Sequence, residues 1–139
     1  MRIILRKALA LMVIAVAIGS AEAADCTYQK DSLGQTRYRC DDGRKGTLRQ
    51  DSLGRVHDSG TKQTWRQDSL GTWRSNDGQQ MRKDSLGRVH QSDGTIWRTD
   101  SLGQQRASDG TVCRTDSLKR TLCRGGDSKP PSLLPTKEK

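Results

Sequence analysis

The amino-acid sequence predicts an all-β protein built from tandem short β-hairpins of about sixteen residues each. Three observations support this prediction: the triplet Asp-Ser-Leu occurs six times, a second glycine-containing turn lies midway between copies, and the segments between turns carry β-branched and aromatic residues. Turns arrive about every eight residues, which is too often for helices. We therefore expect a meander of about ten to twelve very short strands.

Each Asp-Ser-Leu triplet predicts a turn. The copies begin at Asp31, Asp51, Asp68, Asp84, Asp100 and Asp116. Their spacing settles at 16 residues, and the first five continue with glycine whereas the sixth has Lys119. Asp-Ser-Leu-Gly fits a type I turn, in which the aspartate side chain accepts at the first position and the glycine is fourth. The Asp-Gly pairs between copies, such as Asp93-Gly94, favour a two-residue type I′ turn.

Two columns of apolar residues predict the core when the repeat units are aligned. The position three residues before each aspartate holds Tyr28, Leu48, Trp65, Met81, Trp97 and Cys113. The turn leucines form the second column, at Leu33, Leu53, Leu70, Leu86, Leu102 and Leu118. We expect these side chains to form nearly all of the core.

The first 23 residues have the features of a secretory signal peptide. Basic residues precede an apolar run over Ala8–Ile18, and Ala21-Glu22-Ala23 is a small-x-small cleavage site. We expect cleavage after Ala23 and a soluble periplasmic or secreted product, because the residue before Cys26 is Asp25 rather than the small residue of lipoprotein signals. A retained N-terminal anchor is the alternative. No later segment is apolar enough to predict a membrane span.

The expected mature chain has a repeat domain over residues 24–124 and a tail over residues 125–139. The tail contains all three prolines and no strand pattern, so we expect it to be disordered. Removal of residues 1–23 takes away three basic residues and Glu22, so 22 basic and 15 acidic residues remain, for a net charge of +7. That balance favours anionic partners.

Four cysteines remain after cleavage, at Cys26, Cys40, Cys113 and Cys123. An even number in an oxidising compartment predicts two disulfides. Pairing between neighbours would staple each end of the array, and pairing across the array would join its first and last units. A metal site of four cysteines is the alternative, although the spacing of zinc ribbons is missing.

A column of arginines is the candidate binding surface: Arg49, Arg66, Arg82, Arg98 and Arg114. These residues directly follow the first core column, so strand alternation turns them to the opposite face. They form either a ladder of ion pairs with the turn aspartates or a surface that grips a polyanion. Trp73 falls outside the core register; it is either an exposed ring that stacks on a sugar or base beside Arg74, or a filler within its hairpin.

No constellation of residues predicts catalysis. His57 and His90 occupy equivalent positions in two repeats, where other units have Arg74 and Arg106, so we interpret them as ordinary strand residues. The serines of the triplets are turn residues without a base set beside one of them. We therefore predict no enzyme activity, cofactor or metal.

Two segments that lie between Asp-Ser-Leu-Gly turns, Arg55–Gly60 (RVHDSG) and Arg88–Trp97 (RVHQSDGTIW), carry a family resemblance. Over residues 26–124 the alternation of turns and strands resembles the bacterial five-fold β-flower proteins. The resemblance implies hairpin petals closed around a central axis and no enzymatic role. The chain departs from that family in its Trp-Arg pairs, its turn leucines and its four cysteines. A single-layer hairpin array of the MORN type is the alternative fold, although its aromatic-glycine spacing is missing.

These observations predict an exported, non-enzymatic protein of the bacterial envelope with a structural or scaffold role. The alternative is a binding module for an anionic partner, such as a cell-surface glycan, another envelope component or nucleic acid, that uses the arginine column and an exposed Trp73. The sequence leaves the oligomeric state open.

Overall fold

A computed structural model describes residues 24–135 as twelve antiparallel strands closed into a barrel. The strands are β1 (Cys26–Lys30), β2 (Thr36–Cys40), β3 (Lys45–Gln50), β4 (Val56–Asp58), β5 (Gln63–Gln67), β6 (Trp73–Ser75), β7 (Gln80–Lys83), β8 (Val89–Gln91), β9 (Ile96–Thr99), β10 (Gln105–Ala107), β11 (Val112–Thr115) and β12 (Arg120–Arg124). Each strand pairs with its sequence neighbours, and β1 pairs with β12. The predicted all-β hairpin repeat is confirmed. The proposed signal peptide lies outside the described residues.

Six hairpins make up the ring, one for each Asp-Ser-Leu turn. All six of these turns lie at one end of the barrel, because they join β1 to β2, β3 to β4 and so on. The Asp-Gly turns join the hairpins to one another at the opposite end. We call these the Asp-Ser-Leu end and the Asp-Gly end. The ring has one hairpin more than the five petals that the resemblance implies, and the family assignment stays a prediction.

The Asp-Ser-Leu turns have the predicted construction. In the first of them the Gly34 N–H donates to the Asp31 carbonyl at 3.1 Å, and the Leu33 N–H donates to the Asp31 side chain at 2.9 Å. Gly34 has a φ of 78°, which glycine adopts without strain. In the last turn Lys119 takes that conformation, with a φ of 59°.

The Asp-Gly turns are not the predicted type I′ turns. The Gly94 N–H donates to the Gln91 carbonyl at 3.1 Å, and Gly94 has a φ of 91°. The preceding Asp93 does not have the positive φ that a type I′ turn requires. Its side chain instead accepts from the Thr95 N–H at 2.8 Å, which holds the aspartate in an Asx-type turn. Four of the five connections at the Asp-Gly end therefore use the same four-residue turn as the Asp-Ser-Leu end, with a left-handed glycine in the fourth position. The connection between β4 and β5 is built differently, and its left-handed residue is Lys62, with a φ of 58°.

The first predicted core column is confirmed, because Tyr28, Leu48, Trp65, Met81, Trp97 and Cys113 are all buried. Strand alternation places them inside the barrel, together with inward residues of the neighbouring strands such as Tyr38 and Val56. The core therefore takes one or two side chains from most strands.

The second predicted column is wrong. The six turn leucines (Leu33, Leu53, Leu70, Leu86, Leu102 and Leu118) are 66% to 88% exposed. Each leucine is the third residue of its turn, beyond the last paired residues of both strands, so its side chain projects past the end of the barrel. A repeated apolar position in a turn therefore does not supply the core here.

Two disulfides join neighbouring cysteines, Cys26 to Cys40 and Cys113 to Cys123. The predicted disulfides and their position at the two ends of the array are confirmed. Cys26 also lies opposite Cys123 where β1 pairs with β12. The four cysteines thus form one row across β2, β1, β12 and β11, on both sides of the point where the ring closes.

The C-terminal segment runs through the barrel from the Asp-Gly end towards the Asp-Ser-Leu end. At the first end Asp127 pairs with Arg44 at 2.9 Å, and at the second Ser132 donates to Gln105 at 3.0 Å, within a short 3-10 helix at Pro131–Leu133. Between them Pro130 is fully buried. The structure thus places residues 125–135, which the sequence analysis assigned to a disordered tail, in contact with distant strands. Residues 136–139 lie outside the described part of the chain.

Candidate functional site

The five arginines of the predicted column lie on the outer face of the barrel and are exposed. We call Arg49, Arg66, Arg82, Arg98 and Arg114 the arginine belt. Each lies on an odd-numbered strand one residue after a buried core residue, so strand alternation turns it outward. Cross-strand pairing places Arg66 opposite Arg74 and Arg98 opposite Arg106. The belt therefore concentrates positive charge on the outer wall.

The turn aspartates pair with other basic residues. The pairs are Asp31–Arg37 (3.3 Å), Asp51–Arg55 (2.7 Å), Asp68–Arg74 (3.1 Å), Asp84–Arg88 (2.7 Å), Asp100–Arg106 (3.2 Å) and Asp116–Arg120 (2.8 Å). Within residues 24–135 no belt arginine makes an ion pair. The predicted ladder exists, but its arginines lie in the strand after the turn or, for Arg55 and Arg88, directly before that strand, because the aspartate side chain folds back towards it.

The two histidines take part in the same ladder. His57 lies 2.9 Å from Asp51, and His90 lies 2.8 Å from Asp84. These hydrogen bonds, followed by those from the neighbouring arginines, hold the pKa values of Asp51 and Asp84 well below their usual range. The histidines are therefore strand residues that orient the turn carboxylates.

The basic partner of each turn aspartate follows a rule that sequence reasoning missed. In units with an arginine six residues after the aspartate, such as Arg74 and Arg106, the position four residues after it is Thr72 or Gln104. In the other units the fourth position is arginine, as in Arg88, and the sixth is histidine or, after Asp116, Leu122. Alignment of the units at these two positions would have shown that each turn has one arginine partner.

Trp73 is not the exposed ring that one interpretation required. It is 8% exposed and lies in the core, opposite Met81 and Gln67 in the strand register. In β6 the Trp73 side chain points inward and the next residue, Arg74, points outward. Trp73 therefore fills the interior of its hairpin, as the alternative interpretation predicts. Trp65 and Trp97 are buried as well, so the arginine belt has no tryptophan beside it.

Two small cavities flank the C-terminal segment at the Asp-Ser-Leu end, with volumes of about 320 and 490 Å³. Both are lined by Ser132 and Pro135. The indole N–H of Trp97, which lines the larger cavity, has no hydrogen-bond partner within the described residues. The segment thus divides the mouth of the barrel into two pockets.

Among residues 24–135, no group of three or more His, Cys, Asp or Glu side chains is placed to hold a metal ion. No helix in that part of the chain has the length and apolar character to cross a bilayer. The chain matches no protein-family model, and comparison with curated proteins and with solved structures finds no significant match.

Proposed function

We propose that this protein is an exported, non-enzymatic component of the bacterial envelope that binds an anionic partner through the arginine belt. The observation that carries the proposal is that five exposed arginines share one register of the outer wall without ion pairs among the described residues. The turn aspartates are the nearest acidic residues along the chain, but each of them already pairs with another arginine that follows its turn.

The cross-strand register strengthens this proposal. Like charges directly opposite each other on neighbouring strands destabilise a sheet. Arg66 faces Arg74, and Arg98 faces Arg106, and in each pair only the second arginine is neutralised by an aspartate. An anion bound beside Arg66 or Arg98 would relieve that repulsion. Guanidinium groups suit this role, because they bind phosphate, sulfate or carboxylate through paired hydrogen bonds.

A structural or scaffold role without a ligand is the second candidate. The observation that favours it is that the interior of the barrel is occupied by the chain's own C-terminal segment, with Pro130 fully buried. Such a role predicts a stable, disulfide-bonded ring whose outer charges can be changed without effect on its associations.

Retention on a heparin column tests the two candidates. The belt variant Arg66→Gln/Arg98→Gln loses two positive charges, and the control variant Arg39→Gln/Lys45→Gln loses two from the outer wall near the Asp-Gly end, where both side chains are exposed. We expect the belt variant to elute at lower salt than the control, because each phosphate-like contact adds to the salt dependence of binding. Equal elution of wild type and both variants would favour the structural role.

A further inference from the structure

The six exposed leucines form a rim at the Asp-Ser-Leu end of the barrel. We call Leu33, Leu53, Leu70, Leu86, Leu102 and Leu118 the leucine rim. Each leucine N–H donates to the aspartate side chain of its own turn, at 2.9 to 3.0 Å in all six copies. The backbone under every leucine is therefore held in the same way. Neighbouring hairpins lie two strand spacings apart, which separates adjacent leucines by about 10 Å around the ring.

The turns at the opposite end show that the turn itself does not require leucine. Four turns at that end have the same hydrogen bond from the fourth residue to the first and the same left-handed glycine. In these four turns the third position, which leucine occupies at the other end, holds Asp42, Asp77, Asp93 or Asp109. One backbone construction thus carries an apolar tip at one end of the barrel and a carboxylate at the other.

The arginine belt lies close to the leucine rim. Each belt arginine precedes its turn aspartate by two residues, and each leucine follows that aspartate by two residues. At about 3.3 Å per strand residue, the arginines lie on the order of 7 Å along the outer wall from the turns. The two ends of the barrel therefore differ: one has apolar turn tips with a basic belt beside them, and the other has carboxylates at the same turn position.

We propose that the leucine rim docks on the surface of an anionic lipid bilayer. The leucine tips enter the boundary between headgroups and acyl chains, and the belt arginines bind headgroup phosphates. This proposal rests on the anion-binding function proposed above and names the partner. Peripheral membrane surfaces combine buried apolar side chains with basic residues in this way. The Asp-Gly end points away from the bilayer, since its turns carry carboxylates where the other end carries leucines.

Charge complementarity favours the bilayer over a second copy of the chain. Two leucine rims placed face to face would bring two arginine belts towards each other. They would also oppose the exposed lysines Lys30, Lys83 and Lys119, which flank the turns at the same end. An anionic lipid surface instead neutralises both sets of charges.

Co-sedimentation with vesicles of phosphatidylglycerol and phosphatidylethanolamine tests the docking proposal. We expect Leu70→Gln, Leu86→Gln and Leu102→Gln each to lower the partition coefficient by about three- to tenfold, because each removes an apolar side chain that is partly buried in lipid. The control Leu122→Gln changes the same residue type on the outer wall, in β12, and we expect it to bind like wild type. Pure phosphatidylcholine vesicles should bind wild type much more weakly.

A tryptophan placed in the rim reports insertion directly. The three native tryptophans are buried, so they respond little to lipid. We expect the additional emission of a Leu70→Trp variant to shift to shorter wavelength with anionic vesicles and to stay unchanged without them.

The outcomes separate the two proposals. If the leucine variants bind vesicles like wild type while Arg66→Gln/Arg98→Gln loses binding to vesicles and heparin, the docking proposal is overturned and the anion-binding function stands. If the arginine variant keeps both activities, the anion-binding function fails. A dimer that forms without lipid and disappears in the leucine variants would also overturn docking, in favour of a second copy as the partner.

Discussion

Lys129 in the C-terminal segment pairs with Asp58 on the inner wall of the barrel, 71 residues earlier in the chain. Asp58 is 2% exposed, and the Tyr38 hydroxyl donates to the same carboxylate at 2.8 Å. The Lys129 ammonium also lies 4.7 Å from the centre of the Tyr38 ring. Burial alone would raise the pKa of Asp58, but the hydrogen bond and charge of Lys129 outweigh it and lower that pKa.

Loss of the Lys129 charge should destabilise the fold. In Lys129→Met the buried Asp58 carboxylate keeps its bond from Tyr38 but loses its counter-ion, and we expect a loss of about 3 kcal/mol in the free energy of unfolding. Urea unfolding followed by tryptophan fluorescence measures this loss. Lys83→Met, which removes an exposed lysine at the Asp-Ser-Leu end, should change stability little. Equal stability of the two variants would mean that the buried pair does not hold the segment.

Stability should fall in acid. The pKa values of Asp51, Asp58, Asp68, Asp84, Asp100 and Asp116 are all lowered in the folded protein. A group with a lowered folded pKa stabilises the fold above its unfolded pKa, about 3.9 for aspartate, and this contribution is lost as the pH falls towards the folded value. We therefore expect a melting temperature that changes little between pH 7 and about pH 5 and decreases steadily below about pH 4. A melting temperature that stays level into that acid range would contradict the role of these carboxylates.

The leucine rim should be dispensable for folding. Leu102→Ser removes an exposed side chain and should change the free energy of unfolding by less than about 0.5 kcal/mol. Trp97→Ala, in the same hairpin, empties part of the core and should cost about 3–5 kcal/mol. Chemical denaturation of both variants compares them. A large loss for Leu102→Ser would show that the leucine packs inside after all.

The arginine that pairs with a turn aspartate should stabilise the fold equally well four or six residues after that aspartate. Arg106→His leaves Asp100 without a charged partner at pH 8, where an ordinary imidazole is neutral. The melting temperature should fall slightly, as expected for an exposed pair. Adding Gln104→Arg recreates the arrangement of Arg88 and His90 and should restore it. A double variant no more stable than the single one would show that the two positions are not equivalent.

The sequence predicted the interior well because the repeat aligned one buried position on every odd strand. It misplaced the leucines because apolar character alone does not distinguish a strand residue such as Trp97 from the third residue of a turn such as Leu102. The C-terminal segment was also missed. Nothing near Lys129 indicates a partner, since its counter-charge is on β4, and only the closed ring brings the two together. The sequence also located the arginine belt. It could not show that the belt lacks ion pairs, because that depends on whether each aspartate side chain turns towards the strand before its turn or the strand after it.

Closure of the ring has a consequence for the tendency of the protein to aggregate. Every strand in residues 24–135 is paired on both sides, so its backbone N–H and C=O groups are not offered to a strand of another molecule. Open sheets with exposed edges template aggregation and need charged or proline-rich edge strands to prevent it. Here closure itself gives that protection, so six apolar tips can remain in contact with solvent without an adjacent strand edge to begin a fibril.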